Sequence, residues 1–243
     1  AFGTLVGGTV LRTNHASTFV YALIQLPSGT VVLGGDFGTV GGTQGIWSIA
    51  QWNGANFGSF PTGTINQLPV RALLFTGTLY AGGDFTIVNG SAARYVARYV
   101  NSAWGTLTGG TVDAGPNTLA RGLDGRIFVG GAHNLAGGTL AEGVAFWNGA
   151  WGTMGTVSAA GGGPGGGNVI DVAVAPNGIA YIGGQFGSLN GGAANNLASY
   201  NGAQMFPVGS GLDASYDAAV KALFFDPTTS NLYIGGAFQN AGG

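Results

Sequence analysis

Apolar residues in this chain fall in pairs of short, nearly unbroken runs. A tight turn divides each pair, and the second run ends on two glycines. "VYALIQLPSGTVVLGGDF" (20–37) is one such pair and "VRALLFTGTLYAGGDF" (70–85) is another. Uninterrupted runs rich in β-branched and aromatic residues predict strands buried on both faces. No segment shows a sustained 3.6-residue period with caps, so helical repeats are excluded. After each pair comes a looser stretch, then a third run such as "RYVARYV" (94–100) and a short fourth such as "WGTL" (104–107).

The order recurs. Gly-Gly pairs stand at 34–35, 82–83, 130–131, 183–184 and 235–236, in steps of 48, 48, 53 and 52 residues. Five units of about 50 residues lie in the period range of propellers and solenoids. Asn53-Gly54, Asn148-Gly149 and Asn201-Gly202 fall between the third and fourth runs, where positive φ in a type I′ turn is expected. Asp124-Gly125 and Asn177-Gly178 are expected to do the same between the first and second. Four antiparallel strands per unit describe a propeller blade. The expected fold is therefore all-β, a five-bladed β-propeller in a single domain over 1–243. Full blades are expected at 18–60, 68–110, 117–158 and 168–211, with the inner strands of a closing blade at 218–243.

"AFGTL" (1–5) matches "AWGTL" (103–107) and "AWGTM" (150–154), so residues 1–8 are expected to form the outer strand of that closing blade. One strand of it is then missing. Either the chain is an excerpt of a longer polypeptide, which is the favoured expectation, or the blade closes with a gap and an unpaired edge. The opening residues carry no initiator methionine and no basic region followed by an apolar stretch, as expected of a processed or partial chain.

Composition narrows the function classes. Only 7% of residues are charged and the net charge is −2, so no basic stripe offers itself to nucleic acid. With no run of 18 apolar residues, no membrane insertion is expected. The absence of cysteine removes disulfides, thiolate metal sites and thiol nucleophiles. Low charge points to extensive contact with other protein copies or assembly subunits.

The pattern "V-x-A-L … G-x-L-Y-x-G-G-x-F … A-x-W-N-G … W-G-T-L" resembles glycine-rich, kelch-like propeller repeats. Such repeats occur in secreted bacterial proteins, fungal cell-polarity markers and phage minor tail proteins. The resemblance covers nearly the whole chain. It implies an extracellular, cell-surface or virion setting and a scaffolding or adhesion role. Kelch-like enzymes of the galactose oxidase type need a tyrosine crosslinked to cysteine, which this chain lacks. No Asp box of the sialidase type is present, and no cofactor is expected.

Chemistry-bearing residues are few. His133 occupies the slot held elsewhere by Phe37, Phe85, Phe186 and Phe238, and reads as a packing substitution. His15 lies in a loop, and two histidines alone do not make a zinc site. The x of "V-x-A-L" falls at Tyr21, Arg71, Ala120, Asp171 and Lys221 on the innermost strands. Together with Asp36, Asp84 and Gln185, which follow Gly-Gly, these residues are expected at the mouth of a central channel. They form either a polar pocket for a sugar or ion or, the favoured reading, a neutralising ion-pair network. Trp52, Tyr99, Trp147 and Tyr200, with Phe57, Trp104 and Trp151, recur once per unit and read as packing between blades. Trp47 lies outside that register and is the better candidate for an exposed contact. The expected function is a non-catalytic surface module making protein or glycan contacts. The alternatives are a carbohydrate-processing enzyme or a lectin with a site at the channel mouth.

Overall fold

The computed structural model describes residues 10–11, 18–60, 65–159, 167–212 and 218–242. The proposed strand at 1–8, His15 and most of the glycine-rich loop at 159–168 lie outside these. The described residues are all-β and every strand pair is antiparallel. The chain divides into two compact units, Ala1–Leu107 and Thr108–Gly243.

The first unit holds two four-stranded meanders. Repeat 1 runs through Phe19–Gln25, Val31–Asp36, Ile49–Trp52 and Phe57–Gly58. Repeat 2 runs through Val70–Phe75, Leu79–Gly83, Val96–Val100 and Ala103–Thr106. The second unit holds two more and a strand pair. Repeat 3 comprises Pro116–Arg121, Ile127–Gly131, Val144–Trp147 and Trp151–Thr153. Repeat 4 comprises Asn168–Val174, Ala180–Gln185, Leu197–Tyr200 and Met205–Pro207. Repeat 5 contributes Ala219–Asp226 and Asn231–Ala237.

Between the second and third strands the looser stretch forms a small hairpin of its own, which the hydrophobic pattern does not reveal. Each hairpin pairs with the segment that enters the same repeat: Val10–Leu11 with Thr39–Val40, Ile65 with Val88, Val112 with Ala136, and Val157–Ser158 with Ser188–Leu189. In repeat 5, Leu212 bridges to Ala241. Phe37, Phe85, His133 and Phe186 are buried at the root of these hairpins. The carbonyls of these four accept hydrogen bonds from Ser48, Tyr95, Gly143 and Asn196, all at positive φ just before the third strand.

The Asn-Gly turns differ from the type I′ expectation. Gly54, Gly149 and Gly202 take positive φ, but the preceding asparagines do not. Instead Asn53 Oδ1 accepts the N–H groups of Ala55 and Asn56, and Asn201 Oδ1 those of Ala203 and Gln204. These side chains mimic a backbone turn. Gly125 and Gly178 likewise take the positive φ alone. Two successive positive φ values, as type I′ requires, occur at Asn101-Ser102 in repeat 2.

Each first strand carries a β-bulge opposite its Gly-Gly pair. The register slips between Val20 and Ala22, Val70 and Ala72, Pro116 and Thr118, Val169 and Asp171, and Val220 and Ala222. The bulge presses a carbonyl onto the second glycine. A Cβ on Gly83 would lie 2.1 Å from the Pro69 oxygen, and one on Gly184 equally close to the Asn168 oxygen. The first glycine is short for a different reason: the valine of the next repeat packs on it. A Cβ on Gly34 would lie 2.7 Å from Val70 Cγ1, and one on Gly183 would lie 2.4 Å from Val220 Cγ1. Within each unit the first strands of successive repeats therefore lie side by side, around cores built on Val32, Val70 and Phe85 in one unit and Val169, Ile182 and Phe186 in the other.

Candidate binding site on the first strands

The bulge decides where the polar residues point. In a regular strand, neighbouring side chains alternate between faces; the extra residue of a bulge is left out of the ladder and re-aimed. The five bulge residues are Tyr21, Arg71, Asn117, Ile170 and Lys221. Three of these were expected from sequence. Ala120 is three positions away from the bulge of repeat 3. Asp171 is one past the bulge of repeat 4, at the position of Ala22, Ala72, Thr118 and Ala222.

In the first unit, four expected residues come together. Arg71 grips Asp84 through Nε at 3.2 Å from both carboxylate oxygens and through Nη2 at 2.7 Å from Oδ2. Its Cζ lies 5.5 Å from the centroid of the Tyr21 ring, and Asp36 adds a further attraction. The hydrogen bond from Arg71 to Asp84 holds the guanidinium pKa above its ordinary value, against the lowering by partial burial. Arg71 and Asp84 stay about one-third exposed, at 36% and 37%. Beside them Phe19 stacks on Tyr21 at 5.8 Å, and both rings are exposed. Aromatic faces next to a bidentate ion pair can stack on a sugar ring and hydrogen-bond its hydroxyls. Sequence reasoning missed Phe19; its place beside a bulge tyrosine, two residues away, was the available signal.

In the second unit the polar residues hold strands together. Asp171 Oδ1 accepts from the Thr118 hydroxyl (3.2 Å) and from its neighbour Val172 N–H (2.8 Å), and Oδ2 from Leu223 N–H (2.8 Å). One carboxylate thus ties the first strands of repeats 3, 4 and 5. Asn117 was not anticipated. From its bulge it donates to Asn168 Oδ1 (2.7 Å) and the Val169 carbonyl (2.9 Å) in the next repeat. Lys221 and Gln185 are exposed, and Lys221 makes no ion pair among the described residues.

Of the recurring aromatics, Trp104, Trp147 and Tyr200 are buried, at 2%, 7% and 3% exposed, whereas Trp52, Phe57, Tyr99 and Trp151 are half-buried. Tyr200 meets Phe128 of the preceding repeat edge-on at 6.1 Å and accepts a hydrogen bond from Arg126. Trp47 is half-buried rather than fully exposed, stacked over Gly38 at the edge of a small cleft with Ile46, Phe60 and Ile65. Among the described residues no three His, Asp or Glu side chains gather as metal ligands would.

No protein-family model matches this chain, and no curated protein sequence does. Its fold is similar to part of two solved structures from B. thetaiotaomicron, both extracellular domains of BT4673. One is described as a hybrid two component system and the other as a one component system. In each case identity is 15%, the TM-score is 0.59 and 94% of this chain is covered. The chain spans only about a quarter of those structures, 26% and 27% of their length.

Proposed function

We propose that this chain is a non-catalytic, extracellular interaction module whose repeats are propeller blades of the kelch-like kind, and that it binds glycans or glycosylated protein surfaces. The observation that carries the reading is the cluster of Phe19, Tyr21, Arg71 and Asp84: two exposed stacked rings beside a bidentate ion pair that is about one-third exposed. The four four-stranded meanders, with first strands adjacent within each unit, support the blade arrangement. Fold similarity to extracellular domains supports the setting.

Arg71 orients hydroxyl or carboxylate groups with its remaining donors, and the Phe19–Tyr21 stack supplies an apolar platform at little entropic cost. Binding in a glycan screen, weakened at least about tenfold by Tyr21→Ala or Arg71→Ala, is the expected result, on the scale of one lost charged hydrogen bond or stacked ring. Silence across the screen would overturn the glycan reading. Turnover of a bound glycan would overturn the non-catalytic one.

A further inference from the structure

Asn-Gly pairs stand at 53–54, 89–90, 148–149, 177–178, 190–191 and 201–202, and the turns they build do not treat the asparagines alike. Exposure does not separate them, since all six asparagines are exposed. Hydrogen bonding does. Asn53 and Asn201 Oδ1 each accept two main-chain N–H groups, at 2.9 and 3.0 Å. Asn177 Oδ1 accepts the Ile179 N–H at 3.1 Å, and the Gly178 N–H is itself bonded to the Ala175 carbonyl. Asn190 Oδ1 accepts the Thr156 N–H at 2.9 Å, and Asn89 donates from Nδ2 to the Trp104 carbonyl.

Asn148 is the exception, and turn length explains it. In repeats 1 and 4 the turn reads "NGAN" and "NGAQ", and closes from the asparagine N–H to the carbonyl three residues on, Asn56 or Gln204. In repeat 3 "WNGAW" (147–151) is one residue shorter, and the Asn148 N–H reaches the Ala150 carbonyl at 3.1 Å. The residue three on is now Trp151, which opens the fourth strand opposite Trp147. Among the described residues nothing bonds the Asn148 side-chain amide or the Gly149 N–H. The flanks are nevertheless held. Thr108 donates its hydroxyl to the Gly149 carbonyl at 2.8 Å, and the Trp147 and Trp151 indoles donate to the carbonyls of Thr108 and Gly110, each at 3.0 Å. The short turn is docked on the segment entering its own repeat, while its asparagine amide meets only solvent.

We propose that Asn148 is a self-modification site, deamidating through a cyclic imide ahead of every other Asn-Gly pair. The Gly149 nitrogen gives up its proton and attacks Asn148 Cγ; the bond from Cγ to Nδ2 breaks, and that nitrogen leaves as ammonia. Glycine permits the closure because no Cβ obstructs the approach. Water then opens the imide at either carbonyl. One opening gives aspartate and the other isoaspartate, in which the main chain runs through the former side chain. Amide and water thus become carboxylate and ammonium, with no oxidant or reductant. The product carries one negative charge more than the net −2 of the parent chain. At the other five pairs a bond to the asparagine side chain must open before the ring can close. Asn148 belongs to the second unit and takes no part in the Phe19–Asp84 cluster, so its test is independent of the function proposed above.

The 243-residue chain is aged at neutral pH, folded in one sample and unfolded in guanidinium chloride in another. Each Asn-Gly peptide is followed by mass spectrometry, with fragmentation that tells aspartate from isoaspartate. In the folded chain Asn148 is expected to convert about tenfold faster than Asn53 or Asn201, the ratio set by one net hydrogen bond that must open first. Both products appear at Asn148, and in guanidinium the six rates converge. Asn148→Gln removes the earliest acidic species, because its longer side chain closes a ring far more slowly. Asn53 or Asn201 converting as fast as Asn148 in the folded chain overturns the proposal. So does an Asn148 that stays intact when folded yet converts in guanidinium. A lead that persists undiminished in guanidinium overturns it too, since residue order and not the short turn would then set the rate. Aspartate without isoaspartate overturns the cyclic route.

Discussion

Arg71 in the first unit and Asp171 in the second stand one position apart in the repeat, yet their surroundings have little in common. Arg71 sits in the bulge, keeps a third of its surface in water and finds its partner, Asp84, within its own repeat. Asp171 sits just past the bulge and faces the neighbouring strands, with donors from two other repeats on its oxygens. At Asp171's position the other repeats carry Ala22, Ala72, Thr118 and Ala222, small groups that let first strands close up. At the bulge they carry Tyr21, Asn117, Ile170 and Lys221, which have nothing in common chemically. The bulge thus gives the repeats a side chain released from close packing, Asn117 with its bonds into the next repeat being the exception, while the next position is bound by packing. A carboxylate is tolerated there because Thr118 and the Leu223 N–H supply its hydrogen bonds.

Substitutions can break or sharpen this contrast. Asp171→Ala strands the part-buried Leu223 N–H and the buried Thr118 hydroxyl and should cost about 3 kcal/mol, the sum expected for losing charged hydrogen bonds of this kind. That corresponds to a fall in melting temperature of roughly 6–12 °C for a chain of this size, measurable by calorimetry. A loss within experimental error would remove the case for a strand tie.

His133, the second unit's other polar exception, carries a comparable but conditional cost. Burial pushes its pKa down to about 4, only partly opposed by attraction to Asp113, and neither ring nitrogen has a hydrogen-bond partner. The unfolded chain takes up a proton near pH 6.5 that the folded chain refuses until about pH 4. Stability is therefore whole above pH 6.5, declines as pH falls through that window by about 3 kcal/mol, and levels off below it. His133→Phe, which restores the residue type of Phe37, Phe85 and Phe186, should flatten the slope in denaturant titrations between pH 6.5 and 4. An unchanged slope would assign the acid sensitivity elsewhere.

Arg71→Ala should cost no more than about 1 kcal/mol, shrinking with added salt, since the pair keeps about a third of its surface in water. Smallest of all, Ile170→Lys places a charge in a bulge as Lys221 does, and should shift stability by less than about 0.5 kcal/mol. If it proves as costly as Asp171→Ala, the bulge is not a released position.

Strands and their order were legible because uninterrupted apolar runs and tight turns are written in local residue types. The Gly-Gly spacing marked the point where backbone and next repeat press on the second strand. What hydrophobicity does not encode is the bulge, an extra residue with no signature in an already apolar run. Counting along the pattern therefore aligned Asp171 with Arg71 and Lys221, whereas Ile170 holds that place in the ladder. In repeat 3 the error was larger. Its first hairpin spans from Arg121 to Ile127, whereas repeat 2 turns from Phe75 to Leu79, so the alignment slid to Ala120 and Asn117 was overlooked. The small hairpins escaped because two-residue strands such as Ile87–Val88 and Ser91–Ala92 are too short to carry a period. Tyr21, Arg71 and Asp84 were among the residues expected at a channel mouth, together with Asp36, Asp171, Gln185 and Lys221; the exposed Phe19 beside Tyr21 was not.

Each entering segment is fastened to the small hairpin of its own repeat, as Ile65 is to Val88 and Val112 to Ala136. Every repeat thereby closes on itself through contacts between residues near in sequence. Closing so short a loop costs little chain entropy, and local contacts form quickly. A ribosome releasing the chain can complete one such clasp before the next has been synthesised. Duplicating or excising a whole period leaves every other clasp intact, so the array can change length in steps of about fifty residues without any single repeat having to be redesigned.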